Sequence, residues 1–399
     1  MSSTSSTNTA RLTGPLKLAL FSGLMLFAMG QSVLFAIFGP VAREIGLADW
    51  QAGAVISLSA LVVTICSPLW GRYSDRVGRR GPFLVGIAGF GVMTLVFTGL
   101  LASLPGLGLP TSASFALLLL ARVAYAVPVA AGQPAAAGAI ADASDPETRA
   151  ASLALLGAAF GAGTILGPAF AATLAGIGPL IPLVIIALAA IPAAVFAARH
   201  IPATPPAAET PPGLGSTGRR VALLLVGVAS AFFTVAAVQQ SLAFYVQDIF
   251  GLDAPATAQR TGLFFMVLAL ANLAAILTVS RVNPPTRPTL ALGGALGAVG
   301  AALLVAVPSA PWLLWPAMVI MGLGFGAFMP AAQGEASLRV PADVQGAVGG
   351  LVASAMAAGF IIGPIGGTAL YGMDPALAYG VAAAAVVIGT ALTLYRPPV

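Results

Sequence analysis

The sequence predicts an all-α integral membrane protein: twelve transmembrane helices arranged as two pseudo-symmetric six-helix halves. Three observations predict it. The chain of 399 residues is 59% hydrophobic and only 7% charged. Its arginines gather in alternate loops. Glycine and proline positions recur at an offset of 196 residues.

Composition decides the solvent. A soluble domain carries about 25% charged residues, and a water-facing surface cannot be covered with 7%. The mean hydropathy of +0.99 agrees. In lipid the backbone must satisfy its own hydrogen bonds, which leaves helices or a closed barrel. Apolar runs of about 20 residues are far longer than a barrel strand, so the spans are helices. They are expected at about 15–39, 49–70, 82–103, 113–141, 148–175, 178–198, 219–247, 257–280, 287–307, 311–335, 343–371 and 374–395. The Ser/Thr-rich residues before Gly14 carry no cleavable signal, and the first apolar run is itself a span.

The net charge of +5 does not indicate nucleic-acid binding, because the charges follow the loops. With twelve spans, one side holds Arg11, Lys17, Arg72, Arg76, Arg79, Arg80, Arg149, Arg199, Arg219, Arg220, Arg281, Arg287, Arg339 and Arg396. The other side holds only Arg43 and Arg260. Cationic loops stay in the cytoplasm, so both termini are expected there, in the inner membrane.

Between the sixth and seventh spans, Pro202, Pro205, Pro206, Pro211, Pro212, Gly213 and Gly215 mark an extended linker. It divides the chain into a first half (1–198), a linker (199–219) and a second half (220–399). At the offset of 196, Pro134 matches Pro330, Gly138 matches Gly334, Gly163 matches Gly359, Gly167 matches Gly363 and Pro168 matches Pro364. Two repeated halves about an axis along the membrane normal suit a transporter.

The segment after the second span reads Gly71-Arg72-Tyr73-Ser74-Asp75-Arg76-Val77-Gly78-Arg79-Arg80. It resembles the major facilitator signature G-x-x-x-D-R-x-G-R-R/K, and the resemblance extends over all twelve spans through topology, linker and repeat. It implies the major facilitator fold and a functional monomer. Gly71 and Gly78 allow a tight reversal. Asp75 can accept the free N–H groups of a helix start, which in the family belongs to the second half, near the start of the eleventh helix. The arginines can meet Asp142, Asp145 and Glu147. Together these form a cytoplasmic gate; the plain alternative is a cationic loop.

Gly163, Gly167 and Pro168 in the fifth span, and Gly359, Gly363 and Pro364 in the eleventh, resemble the Gly-Pro signature of drug/proton antiporters of the tetracycline-exporter kind. Small residues four apart allow close helix approach and proline bends the span, either at the half-to-half interface or as ordinary packing.

Ionisable groups inside spans are candidates by default. Arg122 in the fourth span resembles the family arginine tied to proton coupling; a structural arginine is the alternative. Eleven positions separate it from Gln133, so the two share a helical face with Tyr125. Glu335 in the tenth span is a candidate proton carrier, on a face with Phe328 and Met321; the alternative is a helix-end acid paired with Arg339. The first span reads Phe27-Ala28-Met29-Gly30-Gln31 and lacks the acid of tetracycline exporters. Coupling is therefore expected to use Glu335, with Asp142 or Arg122. Gln31, Tyr125, Gln133, Gln239, Gln240, Asn272, Met321 and Phe325 are the candidate cavity residues. The amides serve either substrate or neighbouring helices.

No G-x-x-x-x-G-K-[ST] loop is present, and the single lysine, Lys17, precedes the first span. No H-E-x-x-H or G-x-S-x-G occurs, so no enzyme is expected. One histidine and one cysteine, Cys66, make a metal site or a disulfide improbable, and no cofactor is implied. The expected function is proton-coupled export of amphipathic or lipophilic small molecules across the bilayer. The alternative is a dedicated exporter, symporter or facilitator of one metabolite, such as a sugar, an amino-acid derivative or a siderophore.

Overall fold

The computed structural model describes residues 12–145, 148–203, 217–340 and 345–395. Its helices are α1 (Gly14–Glu44), α2 (Asp49–Val77), α3 (Arg80–Ser103), α4 (Thr111–Val129), α5 (Gly132–Asp142), α6 (Arg149–Leu174), α7 (Ile181–His200), α8 (Thr217–Phe250), α9 (Ala254–Val282), α10 (Thr286–Ala306), α11 (Leu314–Leu338), α12 (Gln345–Met373) and α13 (Pro375–Leu394). Taken together, α4 and α5 make one span, and twelve segments are long and apolar enough to cross a membrane. Large apolar side chains such as Leu120 and Ile191 face outward from the bundle, as lipid requires and water would not favour. Most of the expected linker, 204–216, lies outside the described residues, as does Glu147.

Local chemistry sets the helix ends. Thr13 accepts the Leu16 N–H at 3.4 Å to start α1. Asp253 accepts from Ala256 at 2.9 Å to start α9, and Asp374 accepts from Ala376 at 2.7 Å to start α13. Helix α2 runs to Val77, beyond its apolar stretch, so Gly71 is helical and stands against Pro134. The reversal into α3 is made by Gly78, whose φ of 93° suits glycine.

The fourth span is broken rather than continuous. Pro128 and Pro134 each lack the N–H that a turn needs, and the backbone loosens at residues 130–131 between α4 and α5. Side chains of α2 take up exposed carbonyls there: Trp70 donates to Val127 at 2.7 Å and Ser67 to Ala130 at 3.4 Å. The repeat-related span, α11, has only Pro330 in this region and stays continuous. The break separates Arg122 from Gln133 and removes the common face reckoned on one unbroken helix. Arg122 is buried and Gln133 is exposed.

The repeat is visible in packing. A methyl group on Gly163 would lie 2.5 Å from Ala28 Cβ of α1, and one on Gly167 2.8 Å from the Met29 carbonyl oxygen. Their counterparts Gly359 and Gly363 stand equally close to α8, 2.5 Å from the Ala229 carbonyl oxygen and 2.6 Å from Ala236 Cβ. Hence α6 packs on α1 and α12 on α8 by the same close approach. These glycines knit each half together.

The halves, α1–α7 and α8–α13, meet through α2 with α12, α6 with α9, and α1 with α8 and α9. The closest of these contacts lie toward the end away from the termini, where α2, α8 and α9 carry Gly53, Asp248 and Gly262. At mid-depth the Phe360 ring of α12 bridges Phe35 of α1 at 6.3 Å and Phe232 of α8 at 6.0 Å. Toward the terminal end, Gly157 and Gly161 of α6 and Gly349 and Gly350 of α12 face open space.

Candidate functional site

The end away from the termini is closed by one arginine. Arg43 of α1 donates through Nε and Nη2 to both oxygens of Asp49 at 2.8 Å each. Through Nη1 it reaches Asp248 of the other half at 2.6 Å and Gln247 at 3.2 Å, and Nη2 reaches the second Asp248 oxygen at 3.1 Å. Tyr371 of α12 donates to Asp248 at 2.6 Å. The guanidinium lies 4.7 Å over the Phe244 ring. A planar fork thus holds two carboxylates and ties four helices across the two halves.

Below it, two glycines let the halves touch backbone to backbone. A methyl group on Gly53 of α2 would stand 2.5 Å from the Pro364 carbonyl oxygen, and one on Gly262 of α9 2.8 Å from the Pro168 carbonyl oxygen. Ser57 accepts the Ile365 N–H at 3.0 Å beside the first contact. The Gly-Pro elements therefore have two sides. Their glycines pack within a half, and the carbonyls of Pro168 and Pro364 meet the opposite half.

At the terminal end, Arg79 pairs with Asp75 and, at 3.0 Å, with Asp142. Burial works against its charge, but the hydrogen bonds it donates to Asp142 and Asp75 more than offset this and hold its pKa above the ordinary arginine range. Arg76 is exposed and Arg80 half-buried; both line one shallow depression that Leu84 and Ala203 also border. In the second half, Glu335 and Arg339 form an ion pair at 3.1 Å one turn apart on α11. Both are buried, at 1% and 6% exposure. Arg339 also donates to the Thr393 carbonyl at the end of α13, and Arg287 caps the neighbouring Leu394 carbonyl. Arg339 thus joins Glu335 to the end of α13 within the second half.

The middle of the first half contains a cation among rings. Arg122 is 5% exposed. Its guanidinium lies 4.1 Å from the Tyr125 ring and 5.5 Å from the Phe97 ring, and Nη2 donates to Gln31 at 3.3 Å. Phe90 packs on Tyr125, Phe27 on Phe90, and Phe38 on Phe97. Placing a lone charge there costs several kcal/mol, while each ring face returns about 0.5–2 kcal/mol.

The remaining cavity candidates scatter. Gln240 is buried and neither of its amide atoms has a hydrogen-bond partner. Gln239 is half-buried. Asn272 places its backbone against Gly322 and Gly326, packing α9 on α11. Met321 packs against Gly300 of α10, and Phe325 stands 3.8 Å from a methyl group added at Gly297. Both belong to the α10–α11 contact inside the second half. Among the described residues no group of three metal-ligating side chains exists.

The sequence reading passed over Arg43, Asp248, Tyr371, Gly53 and Gly262. A signal was available for Arg43, one of only two arginines on the sparsely charged side, six residues from Asp49. Nothing in the sequence pairs it with Asp248. Gly53 and Gly262 make matching contacts, with Pro364 and Pro168, but they stand 209 positions apart, outside the register of 196.

The sequence pattern that defines the Major Facilitator Superfamily matches residues 20–364. The tetracycline resistance protein, class G, of Vibrio anguillarum is 30% identical over 369 residues, covering 87% of this chain and 88% of that protein. Multidrug resistance protein 1 of Bacillus subtilis is 25% identical, covering 94% of each. In fold, the chain matches a bacterial homologue of the human lysosomal transporter Spinster, with a TM-score of 0.73, 18% identity, and coverage of 94% of this chain and 95% of that one.

Proposed function

This chain belongs to the major facilitator superfamily, and from that premise we propose that it exports amphipathic small molecules in exchange for protons by alternating access. One observation carries the reading: among the described residues the closest contacts between the halves lie toward the end away from the termini, while Gly157, Gly161, Gly349 and Gly350 toward the terminal end face open space. Two rigid halves that share a closure at one end have a second arrangement in which the other end closes. With the arginine-rich terminal end in the cytoplasm of a bacterial inner membrane, this arrangement is open inward, ready to load a substrate for export. The Arg43 network and the Gly53 and Gly262 contacts form its outer closure.

The inner closure is assigned to Asp75, Arg76, Arg79 and Arg80, with Gly71 and Gly78 shaping their segment. In the present arrangement Asp75 is half-exposed and held by Arg79, so it is available to a helix start of the second half once the halves rock together. Proton coupling is assigned to Glu335 with Arg339, supported by Arg122 and Asp142. The names of the relatives make tetracyclines the first substrates to test. The deciding measurement is tetracycline uptake into everted vesicles under an imposed pH gradient, for wild type and Glu335→Gln. Gradient-driven uptake lost in the variant supports proton-coupled export through Glu335. Uptake that ignores the gradient refutes the coupling.

A further inference from the structure

Of the described carboxylates, Asp49 and Asp248 hold Arg43, Asp75 and Asp142 hold Arg79, and Glu335 holds Arg339. Asp253 and Asp374 cap helices. Arg122 forms no ion pair with any of them. Its side-chain hydrogen-bond partners, the Gln31 amide and the Tyr125 hydroxyl, are neutral, and its Nε, fully buried, has no partner. A buried guanidinium left without an anion is the costly half of a broken ion pair. Ring faces lower that cost but supply no counter-charge.

The place of Gln31 shows where a counter-charge can come from. On α1 it lies one turn from Phe27 and one turn from Phe35, about 40° round from each. Phe27 packs on Phe90 inside the first half, while Phe35 meets Phe360 of the second half. Gln31 is half-buried between these two faces. The box around Arg122 therefore borders the seam between the halves on the Gln31 side.

We propose that Arg122 is the anion-binding group of the substrate site, and that the chain prefers amphipathic monoanions with a planar aromatic body. The anionic group, a carboxylate, sulfonate or enolate, would accept from Nε and Nη2. Its flat body would lie against Tyr125 and Phe97. A single cation, with the chain's only lysine at position 17, suits one negative charge rather than several and repels permanent cations. This rests on the transport reading above.

The test compares binding of radiolabelled 2-naphthoate and its neutral isostere 2-naphthamide to the purified full-length protein. Wild type should bind the anion at least tenfold tighter. Arg122→Gln should abolish that preference while leaving 2-naphthamide binding within twofold, and Arg122→Lys should retain part of it. Equal affinities in wild type, no binding of either probe, or a preference that survives Arg122→Gln overturns the proposal. Gradient-driven tetracycline uptake, measured on the same wild-type protein, reports separately on the transport reading. Intact flux without anion preference removes only the anion site. Anion preference without flux removes only the export assignment.

Discussion

Replacing Arg43 by glutamine should open the outer closure. Arg43 makes three hydrogen bonds across the seam, two to Asp248 and one to Gln247, at 2.6–3.2 Å. Buried charge-assisted bonds contribute about 1.5–3 kcal/mol each, but here the arginine is 26% exposed and Asp248 is 47% exposed, which places the cross-half pair near the surface value of about 0–1 kcal/mol. Removal has a second effect. Asp49 and Asp248, now bridged by one cation, would face one another without it. Together these give about 1–2 kcal/mol, or a roughly 5- to 30-fold shift toward the outward-open arrangement. The assay is labelling of Ala243→Cys, buried against Gly39 in the α1–α8 seam, by a membrane-impermeant maleimide from outside. Cys66, the one native thiol, is replaced by serine. Labelling should accelerate by about that factor in Arg43→Gln, and by less in Asp248→Asn, where Arg43 keeps Asp49. Rates within twofold of wild type in both variants would refute the assignment of this network as a closure.

Three further outcomes are expected. Gly53→Ala places a methyl group against the Pro364 backbone and should destabilise the closed seam by about 1–3 kcal/mol, read as a lower Tm and faster Ala243→Cys labelling, whereas Gly157→Ala, which meets open space, should change neither. Asp75→Asn should lower tetracycline turnover in proteoliposomes more than it lowers binding; unchanged turnover removes Asp75 from the inner closure. Arg339→Gln removes one buried half of the Glu335–Arg339 ion pair, and its Tm should fall further than that of Arg43→Gln, whose partners are more exposed.

The legible features are those set by solvent. Twelve spans followed from hydropathy, because lipid demands a continuous helix wherever it excludes water. Asp253 and Asp374 carry the side-chain acceptor that begins a helix, and Gly78 marks a reversal that needs positive φ. The less legible features depend on which face of a helix meets which neighbour. Gly71 belongs to the same motif as Gly78, yet α2 continues through it. Met321 and Phe325 are apolar at every orientation, so their packing on α10 leaves no mark in the pattern. Arg122 and Gln133 lose their shared face to a break set by two prolines six residues apart, which a continuous-helix reckoning does not contain.

The sequence by itself determined the solvent of this protein, its helical spans and its repeated halves, because each depends on local composition or on regular spacing along the chain. Only the tertiary structure decided that Arg43 answers Asp248 across 205 positions, that Gly262 meets Pro168 as Gly53 meets Pro364, and that Arg122 stands among rings with no carboxylate paired to it among the described residues. Those facts depend on how two helices are rotated against each other. In a chain with apolar residues on nearly every face, rotation is set by small residues and scarce polar partners from distant segments, and no periodicity records it.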